Sequence, residues 1–268
     1  AAASTAGPGM AVSILTGLQS FESNGAKIGK VSHAAGCDDV NCTSTAGFAQ
    51  AVALSKHPKC KATILVLGTR VSGDNKQDPA GPCHSNVACE GEAHDRNSTL
   101  FGGYQYKLAE ALKQSQTGVP LICVFVHGGA MTLGNLRESC DGILDVGFPG
   151  SQGGNGLADV LFGEVSPAGR AATTWYLNDN DLPAAGEMDL YSGKGLTYRH
   201  YDSSVAPIAF GSGLSCTPEQ HSALTPAHPR TTTVPLARVA RFLTRMRAVA
   251  TDTTFSYSNL KINATSVT

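Results

Sequence analysis

The run KATILVLG (Lys61–Gly68) is the part of the sequence that decides the fold. Its residues are almost all apolar and several are β-branched, which is typical of a strand buried on both faces of a parallel sheet. A second strand of this kind is predicted at VPLICVFVHGG (Val119–Gly129). GILDVGF (Gly142–Phe148) and AATTWY (Ala171–Tyr176) are further strand candidates, and Val31–Ala35 is a shorter one. Together these runs predict a sheet of several strands.

Helices are predicted in the segments that separate the strands. Apolar residues recur at helical spacing at residues 9–21, 45–57, 104–116 and 157–162. Strands that alternate with helices indicate an α/β fold, with a mostly parallel sheet flanked by helices, which is an α/β sandwich. Ligands of such sheets bind beyond the carboxyl ends of the strands. Two loops lie there, residues 69–100 and PGSQGGNG (Pro149–Gly156), and we expect functional residues in them.

The composition excludes several classes of protein. Apolar residues make up 41% of the 268 residues, so global disorder is not expected. Lys and Arg number 20 against 21 Asp and Glu, which gives no electrostatic case for nucleic acid or an anionic membrane as a partner. No apolar run approaches the ~20 residues that a membrane-spanning helix needs. The sequence has no initiator Met and no signal-like start, so we expect a chain that is mature, processed or cut from something longer.

Eight cysteines occur, and two pairs are close in sequence: Cys37 with Cys42, and Cys83 with Cys89. Each pair lies in a polar loop, and neither has the CxxC spacing with a matching second half that metal sites prefer. We therefore predict two local disulfides and expect neither a metal nor another cofactor. Cys123 is expected to pack as a thiol in a buried strand. The prediction leaves four cysteines unpaired or unassigned: Cys60, Cys123, Cys140 and Cys216.

Three N-x-S/T sequons stand at Asn41, Asn97 and Asn263. Together with the paired cysteines they favour the secretory pathway, where glycosylation and disulfide formation both occur. We expect a secreted or cell-wall glycoprotein.

Groups able to do chemistry concentrate in EGEAHDR (Glu90–Arg96), which places three carboxylates, a His and an Arg in one strand-end loop. This loop is either a solvated charged loop or a functional site. Its position at a strand end and the predicted disulfide give the functional site the same weight as the solvated loop. His127 ends a buried strand and is either a packed residue or a substrate contact. The glycines of PGSQGGNG lack the spacing of a phosphate-binding loop, and no serine-hydrolase elbow or HExxH motif occurs.

Three longer segments carry a resemblance to a known family. EGEAHDRNSTLFGGYQYKLAEAL (90–112) contains E-x-E-x-x-D-R, followed by a Gly and a Gln that opens a helix. VGFPGSQGGNGLADVLFGEVSPAGRAATTWY (146–176) contains a long G-x-P-G-x-x-G-G run, and GLTYRHYDSSVAPIAFGSGLS (195–215) contains G-x-T-Y-R and F-G-x-G-L-S. In this order, over roughly residues 9–217, the chain resembles the family 3 glycoside hydrolases. The pattern is most similar to their β-xylosidase and α-arabinofuranosidase branch, and the β-glucosidase branch is the near alternative.

The resemblance implies an α/β sandwich domain that packs on an N-terminal (β/α)8 barrel, often with a fibronectin III-like domain after it. It also implies retaining hydrolysis of a β-glycoside, with an Asp nucleophile from the barrel and an acid/base carboxylate from the sandwich. Glu92 matches the acid/base position best, because it stands three residues before the Asp-Arg of the motif, and Glu90 is the fallback. In several β-glucosidases of the family the acid/base Glu lies in the loop that matches PGSQGG, where this chain has Gln152. Because a Gln cannot transfer a proton, Gln152 is expected only to contact the substrate. His127 is the other expected substrate contact.

The chain is expected to consist of three parts with different structures. Residues 1–217 are predicted to form the sandwich domain, in which the first family strand is missing. Residues 218–252 have a composition unlike either flank and are interpreted as a weakly structured insertion or a translated intron. Residues 253–268 resemble the first strand of a truncated fibronectin III-like domain. Since the sequence contains no barrel, we expect this chain alone to be inactive. A non-catalytic glycan-binding or structural glycoprotein domain is the alternative function.

Overall fold

The structure is a computed structural model that describes residues 11–23, 29–71, 88–91, 96–115, 118–184, 186–202 and 208–215. In these parts of the chain the helices are α1 (Ile14–Ser23), α2 (Phe48–Ser55), α3 (Gln105–Ser115), α4 (Leu136–Ser139), α5 (Gly153–Leu161) and α6 (Thr197–His200). The strands are β1 (Thr63–Gly68), β2 (Arg70–Val71), β3 (Cys89–Glu90), β4 (Leu121–Val126) and β5 (Gly142–Asp145), and a 3₁₀ turn covers Asp179–Asp181.

Three strands form a parallel sheet in the order β1–β4–β5. Thr63 of β1 lies opposite Leu121 of β4, and Ile122 of β4 lies opposite Gly142 of β5. Because the three strands run in one direction, their carboxyl ends meet at the same edge of the sheet. Beyond this edge, β2 and β3 form a short parallel pair that continues the line of β1.

Apolar side chains cover both faces of this sheet. On one face, Leu65 and Phe125 belong to a core that includes residues of α2, α3 and α4. On the other face, Ile122 and Val124 pack with α1 and α5. Every residue of β4 is buried, as its apolar run predicts, and each such side chain contributes about 1.5–3 kcal/mol when fully buried. The predicted α/β class, with a mostly parallel sheet between helices, is confirmed.

The strand β1 differs from its prediction in one respect. Its apolar run predicts burial on both faces, yet Val66 is 45% exposed. In the described part of the chain β1 is the edge strand of the sheet, because only β4 pairs with it. At its carboxyl end the free edge is covered, since the side-chain amide of Gln105 accepts a hydrogen bond from the Gly68 amide and donates one to the Gly68 carbonyl, both 2.9 Å long.

Helices α1 and α5 cross at two glycines. A Cβ on Gly17 would lie 2.1 Å from the carbonyl oxygen of Gly154, and a Cβ on Gly154 would lie 2.1 Å from that of Ser13. The segment before α1 also reaches the start of α5, where Val12 accepts a hydrogen bond from the Gly154 amide and donates one to Ser151. The two helices therefore approach so closely that only glycine fits at the crossing.

We expect Gly17→Ala to destabilise the domain by about 1–3 kcal/mol, because its Cβ meets a backbone atom that cannot rotate away. The matched control is Gly156→Ala in α5, where no heavy atom lies within 4 Å of the added Cβ. This control should be neutral or gain about 0.5–1 kcal/mol from the lower entropy cost of Ala in a helix. Urea unfolding of both variants measures the difference, and equal midpoints would contradict the close crossing.

Two predicted strands are wrong. Val31–Ala35 pairs with no strand among the described residues, and the Val31 amide instead donates to the carboxylate of Glu22. Among the described residues, Ala171–Tyr176 forms only isolated bridges, one antiparallel between Trp175 and Ile208 and one parallel between Thr132 and Tyr176. Ala171–Tyr176 contains strand-forming Thr, Trp and Tyr residues, but a strand also needs a neighbour whose backbone groups face it over several residues.

The disulfides partly follow the prediction. Cys37 and Cys42 are bonded, with their Cα atoms 4.9 Å apart, as predicted. Cys89 is also disulfide-bonded and buried, whereas Cys83, its predicted partner, lies outside the described residues. The expectation of a free thiol at Cys123 is wrong, because Cys123 of β4 is bonded to Cys140, the residue that follows α4. The β4–α4 connection brings this pair together across 17 residues of sequence.

Several predictions fall on residues outside the described ones. They concern residues 218–252, the fibronectin III-like strand at 253–268, and the positions Cys216 and Asn263. Within the described ranges, no helix combines the length and apolar character that a membrane span would require.

Candidate functional site at the carboxyl ends of the strands

Glu90, the last residue of β3, is the centre of a hydrogen-bond network at the carboxyl ends of β1 and β4. Its Oε1 accepts hydrogen bonds from the Thr69 hydroxyl at 2.6 Å and the Gly128 amide at 2.7 Å. Its Oε2 accepts hydrogen bonds from the Gly129 amide at 3.1 Å and Nε of Arg96 at 2.9 Å. We call these five residues the Glu90 network. It ties three separate segments of the chain together.

The electrostatics of the Glu90 network favour an ionised carboxylate. Burial by itself would raise the pKa of Glu90, but the hydrogen bonds from Thr69 and Gly128, the charge of Arg96 and the Gly129 amide outweigh it and lower the pKa. A general acid must hold a proton at working pH, which a lowered pKa opposes. These contacts suit Glu90 to positioning. Glu92, two residues further on, lies outside the described residues, so its predicted acid/base role stays a prediction.

Arg96 ties the far end of the EGEAHDR loop to the sheet. Besides pairing with Glu90, its guanidinium donates to the carbonyls of Ser98 and Ala130, at 3.2 and 2.8 Å. Asp179 accepts hydrogen bonds from the Ser98 hydroxyl and the Thr99 amide just beyond it. The described residues on both sides of Glu92 therefore have fixed contacts, Glu90 before it and Arg96 after it.

His127, the residue after β4, forms an ion pair with Asp145 at the end of β5. Its Nε2 lies 3.0 Å from Asp145 Oδ1, in a direction that departs from hydrogen-bond geometry, so the contact is electrostatic. Its Nδ1 lies 2.7 Å from the Gly129 carbonyl oxygen. His127 is only 5% exposed, so its predicted direct contact with substrate stays a prediction that would require one partner to be displaced.

Asp145 itself stands partly in solvent. Burial would raise its pKa, but the close contact with His127 and the Gly147 amide outweigh it, so the pKa of Asp145 is lowered. Both contacts fall on Oδ1, since the Gly147 amide donates to the same oxygen at 3.2 Å. The result is an ionised carboxylate whose orientation is fixed from one side.

Three backbone amides of the loop Pro149–Gly156 donate hydrogen bonds to backbone carbonyls. The Gly154 amide donates to the Val12 carbonyl, the Gly153 amide to that of Gly150 and the Gly156 amide to that of Gln152. Gln152 stands exposed before α5, and its side-chain oxygen accepts a hydrogen bond from Asn155 at 2.7 Å. Its predicted role as a substrate contact stays a prediction.

Sequence reasoning missed three groups that the structure places at this edge. Thr69 and Asp179 belong to loops and gave no signal of their own, because their partners come from distant segments. Asp145 did carry a signal. It is a charged residue in the run GILDVGF, where an apolar residue would continue a buried strand, and it stands where that strand ends.

The stability of the domain should fall in acid, because the carboxylates of Glu90 and Asp145 at the strand ends become protonated. The pKa values of Glu90 and Asp145 are lowered in the folded protein, so their contribution is complete above the ordinary carboxyl pKa of about 4 and is lost as pH falls through the lowered values. Urea midpoints at several pH values between 7 and 3 measure the loss, which should be smaller in Glu90→Gln. A midpoint that stays constant or rises toward pH 3 would contradict the assignment.

With the geometry established, comparison with known proteins identifies the class. The sequence profile of the glycosyl hydrolase family 3 C-terminal domain matches residues 2–216. The chain therefore belongs to glycoside hydrolase family 3, and the matched part is its C-terminal α/β domain.

Relatives and solved structures agree with this class. The chain is 33% identical to β-xylosidase/α-L-arabinofuranosidase 2 of Medicago sativa subsp. varia, over 77% of this chain and 25% of that protein. It is 30% identical to β-D-xylosidase 1 of Arabidopsis thaliana, over 87% of this chain and 27% of that protein. A solved family 3 exo-β-xylosidase in complex with a xylobiose aziridine probe matches 78% of this chain and 25% of that chain, with a TM-score of 0.59 and 27% identity. The chain thus spans about a quarter of the length of these proteins.

Proposed function

We propose that this chain supplies the acid/base loop and one wall of the sugar site of a retaining β-glycosidase. The substrate class is a β-xyloside or β-glucoside of the kind released in plant or cell-wall polysaccharide breakdown. The names of the relatives support xylosides first. The nucleophile would be an Asp of an N-terminal (β/α)8 barrel, which the relatives have room for because they are about four times as long as the matched segment.

The observation that carries the proposal is the Glu90 network. It fixes the start of the EGEAHDR loop at the carboxyl ends of β1 and β4, where ligands of open α/β sheets bind. Arg96 fixes the other end of the same loop. Glu92 stands between these two anchors and is the proposed general acid/base. A carboxylate held at both sides of its loop can be positioned with little entropy cost, as proton transfer requires.

In this mechanism Glu92 first donates a proton to the leaving oxygen while the barrel Asp attacks the anomeric carbon. In the second step Glu92 takes a proton from water, which hydrolyses the glycosyl–Asp ester and returns both carboxyl groups to their starting states. The two groups must lie about 5–5.5 Å apart for the configuration to be retained. Glu90 stays ionised throughout and holds the turn at Gly128 and Gly129 in place.

Secretion and N-glycosylation belong to the same proposal. Asn97 is exposed at the end of the EGEAHDR loop, as an acceptor must be. Asn41 lies beside the Cys37–Cys42 disulfide and donates from its side-chain amide to Asp39 at 2.8 Å. The disulfides of the described residues fit an oxidising compartment.

The test compares two proteins on an aryl β-xyloside. The 268-residue chain alone should show no turnover, because it offers one of the two carboxyl groups. The same chain joined to a family 3 barrel should hydrolyse the xyloside with retention, as seen by proton NMR of the first-formed sugar. Turnover by the chain alone, or inversion by the joined enzyme, would refute the proposal. An inactive joined protein that still binds glycosides would favour the non-catalytic glycan-binding alternative.

A further inference from the structure

The carboxylate of Asp145 has one oxygen that is held and one that is free to bind a ligand. Oδ1 takes both the His127 ion pair and the Gly147 amide. Oδ2 has no hydrogen-bond partner among the described residues, and the side chain is 36% exposed. Because its orientation is already fixed by a buried ring, this carboxylate loses little freedom when a ligand binds. A fixed, ionised oxygen of this kind accepts hydrogen bonds from hydroxyl groups and repels another carboxylate.

Phe148 stands three residues after Asp145 in the chain, and its ring lies at Gly128, the residue after His127. The side chain is 41% exposed, so part of it is accessible to a ligand. Its Cε2 lies 2.7 Å from the point where a Cβ of Gly128 would be, and Oε1 of Glu90 lies 3.1 Å from the same point. The absence of a side chain at Gly128 is what allows the ring to lie over the turn. Phe148 is thus a neighbour of the Glu90 network.

A partly exposed aromatic ring and a fixed acceptor, three residues apart in the chain, match the chemistry of a neutral pyranose, which has an apolar C–H face and a rim of hydroxyl groups. Ligand sites combine such apolar surfaces with a few well-placed polar groups. Both residues also lie at the edge of the sheet where ligands bind in this architecture. We propose that Phe148 and Asp145 form a contact for a neutral pyranose ring, with the ring of Phe148 against the C–H face and Asp145 Oδ2 accepting its hydroxyls.

This inference rests on the proposed function and adds the residues that would hold one sugar of the substrate. It assigns His127 a positioning role, because His127 fixes Asp145 and does not reach the ligand. It also predicts discrimination by charge, since a uronic acid would bring a carboxylate toward Asp145.

The test is a titration of the ¹⁵N-labelled 268-residue chain with methyl β-D-xylopyranoside, followed by NMR. We expect saturable shifts of the Gly128, Gly129 and Gly147 amides, with millimolar affinity. Asp145→Asn and Phe148→Leu should each weaken binding by about tenfold, which corresponds to the loss of one charge-assisted hydrogen bond or one ring contact. Methyl β-D-glucuronide should not shift these amides. The matched control is Tyr191→Ala, which removes an aromatic ring that is 74% exposed in another segment and should leave the affinity unchanged.

Three results would overturn the inference. They are the absence of these shifts in the wild-type chain, an unchanged affinity in both Asp145→Asn and Phe148→Leu, and equal binding of the glucuronide. Thermal unfolding of each variant checks that it is folded. We expect both variants to fold, because the side chains of Asp145 and Phe148 are partly exposed. The proposed function fails separately, through turnover of the barrel-joined enzyme. An active joined enzyme whose lone domain binds no xyloside at Phe148 would therefore refute the inference and leave the function standing.

Discussion

Replacing Glu92 by alanine should lower kcat/KM for xylobiose about 10²–10⁴-fold in the barrel-joined enzyme, which is the range that a general acid/base contributes. The loss should be smaller for an aryl xyloside with a good leaving group, because its departure needs little protonation. With that substrate the second step, which needs a base to activate water, becomes limiting. Steady-state kinetics on the two substrates measure both losses.

The matched control for this prediction is Glu164→Ala. Glu164 is exposed after α5, so its removal should leave kcat/KM for both substrates unchanged. Equal losses for xylobiose and the aryl xyloside in Glu92→Ala would argue against proton transfer, because a residue that only shapes the site has no reason to discriminate between leaving groups.

Replacing Glu90 by alanine should destabilise the domain by about 3–5 kcal/mol. The change leaves the Arg96 guanidinium buried without its carboxylate, and it removes the acceptor for the Thr69 hydroxyl and for two backbone amides. Breaking such a pair costs more than the pair contributes, since the remaining charge loses its partner and cannot return to water. Urea unfolding at pH 7 measures the difference between the variant and the wild-type chain.

Glu164→Ala serves as the control here as well, and should change stability by less than about 0.5 kcal/mol because its side chain is exposed. The loss of stability in Glu90→Gln should lie between those of Glu90→Ala and Glu164→Ala. The Gln side chain keeps one acceptor oxygen, but it places an NH₂ group where other donors converge. If Glu90→Ala unfolds at the wild-type urea concentration, the network does not hold the loop.

The sheet could be predicted from the sequence because its strands carry their signal within themselves. KATILVLG, VPLICVFVHGG and GILDVGF are largely apolar runs, and β1, β4 and β5 begin and end within three residues of these predicted bounds. Ala171–Tyr176 contains strand-forming Thr, Trp and Tyr residues and failed as a strand, because pairing depends on a neighbour that composition does not reveal. Val31–Ala35 also failed, and Val31 is its one β-branched residue. Helix α5 begins four residues before its predicted start, since the glycines of its first turn give no helical signal.

The sequence pointed to the Glu90 loop but not to the contacts that Glu90 makes. The motif drew attention to this loop, yet the partners of Glu90 come from Thr69 and from the turn after β4, which the parallel sheet brings together. The Cys123–Cys140 bond was missed for the same reason. The contacts of Glu90 and the Cys123–Cys140 bond join residues that are distant in sequence. Local spacing instead predicts contacts between near neighbours, such as the Cys37–Cys42 bond.

The central claim is that Glu92 transfers the proton while Glu90 holds the loop, and azide rescue tests it most directly. Azide attacks the glycosyl–enzyme without needing a base, so it should restore turnover of an aryl β-xyloside in Glu92→Ala of the barrel-joined enzyme and yield a β-xylosyl azide. In Glu90→Ala the acid/base is still present, and azide should neither accelerate turnover nor give this product. Product analysis by NMR distinguishes the two. A β-xylosyl azide formed by Glu90→Ala and absent with Glu92→Ala would contradict the account.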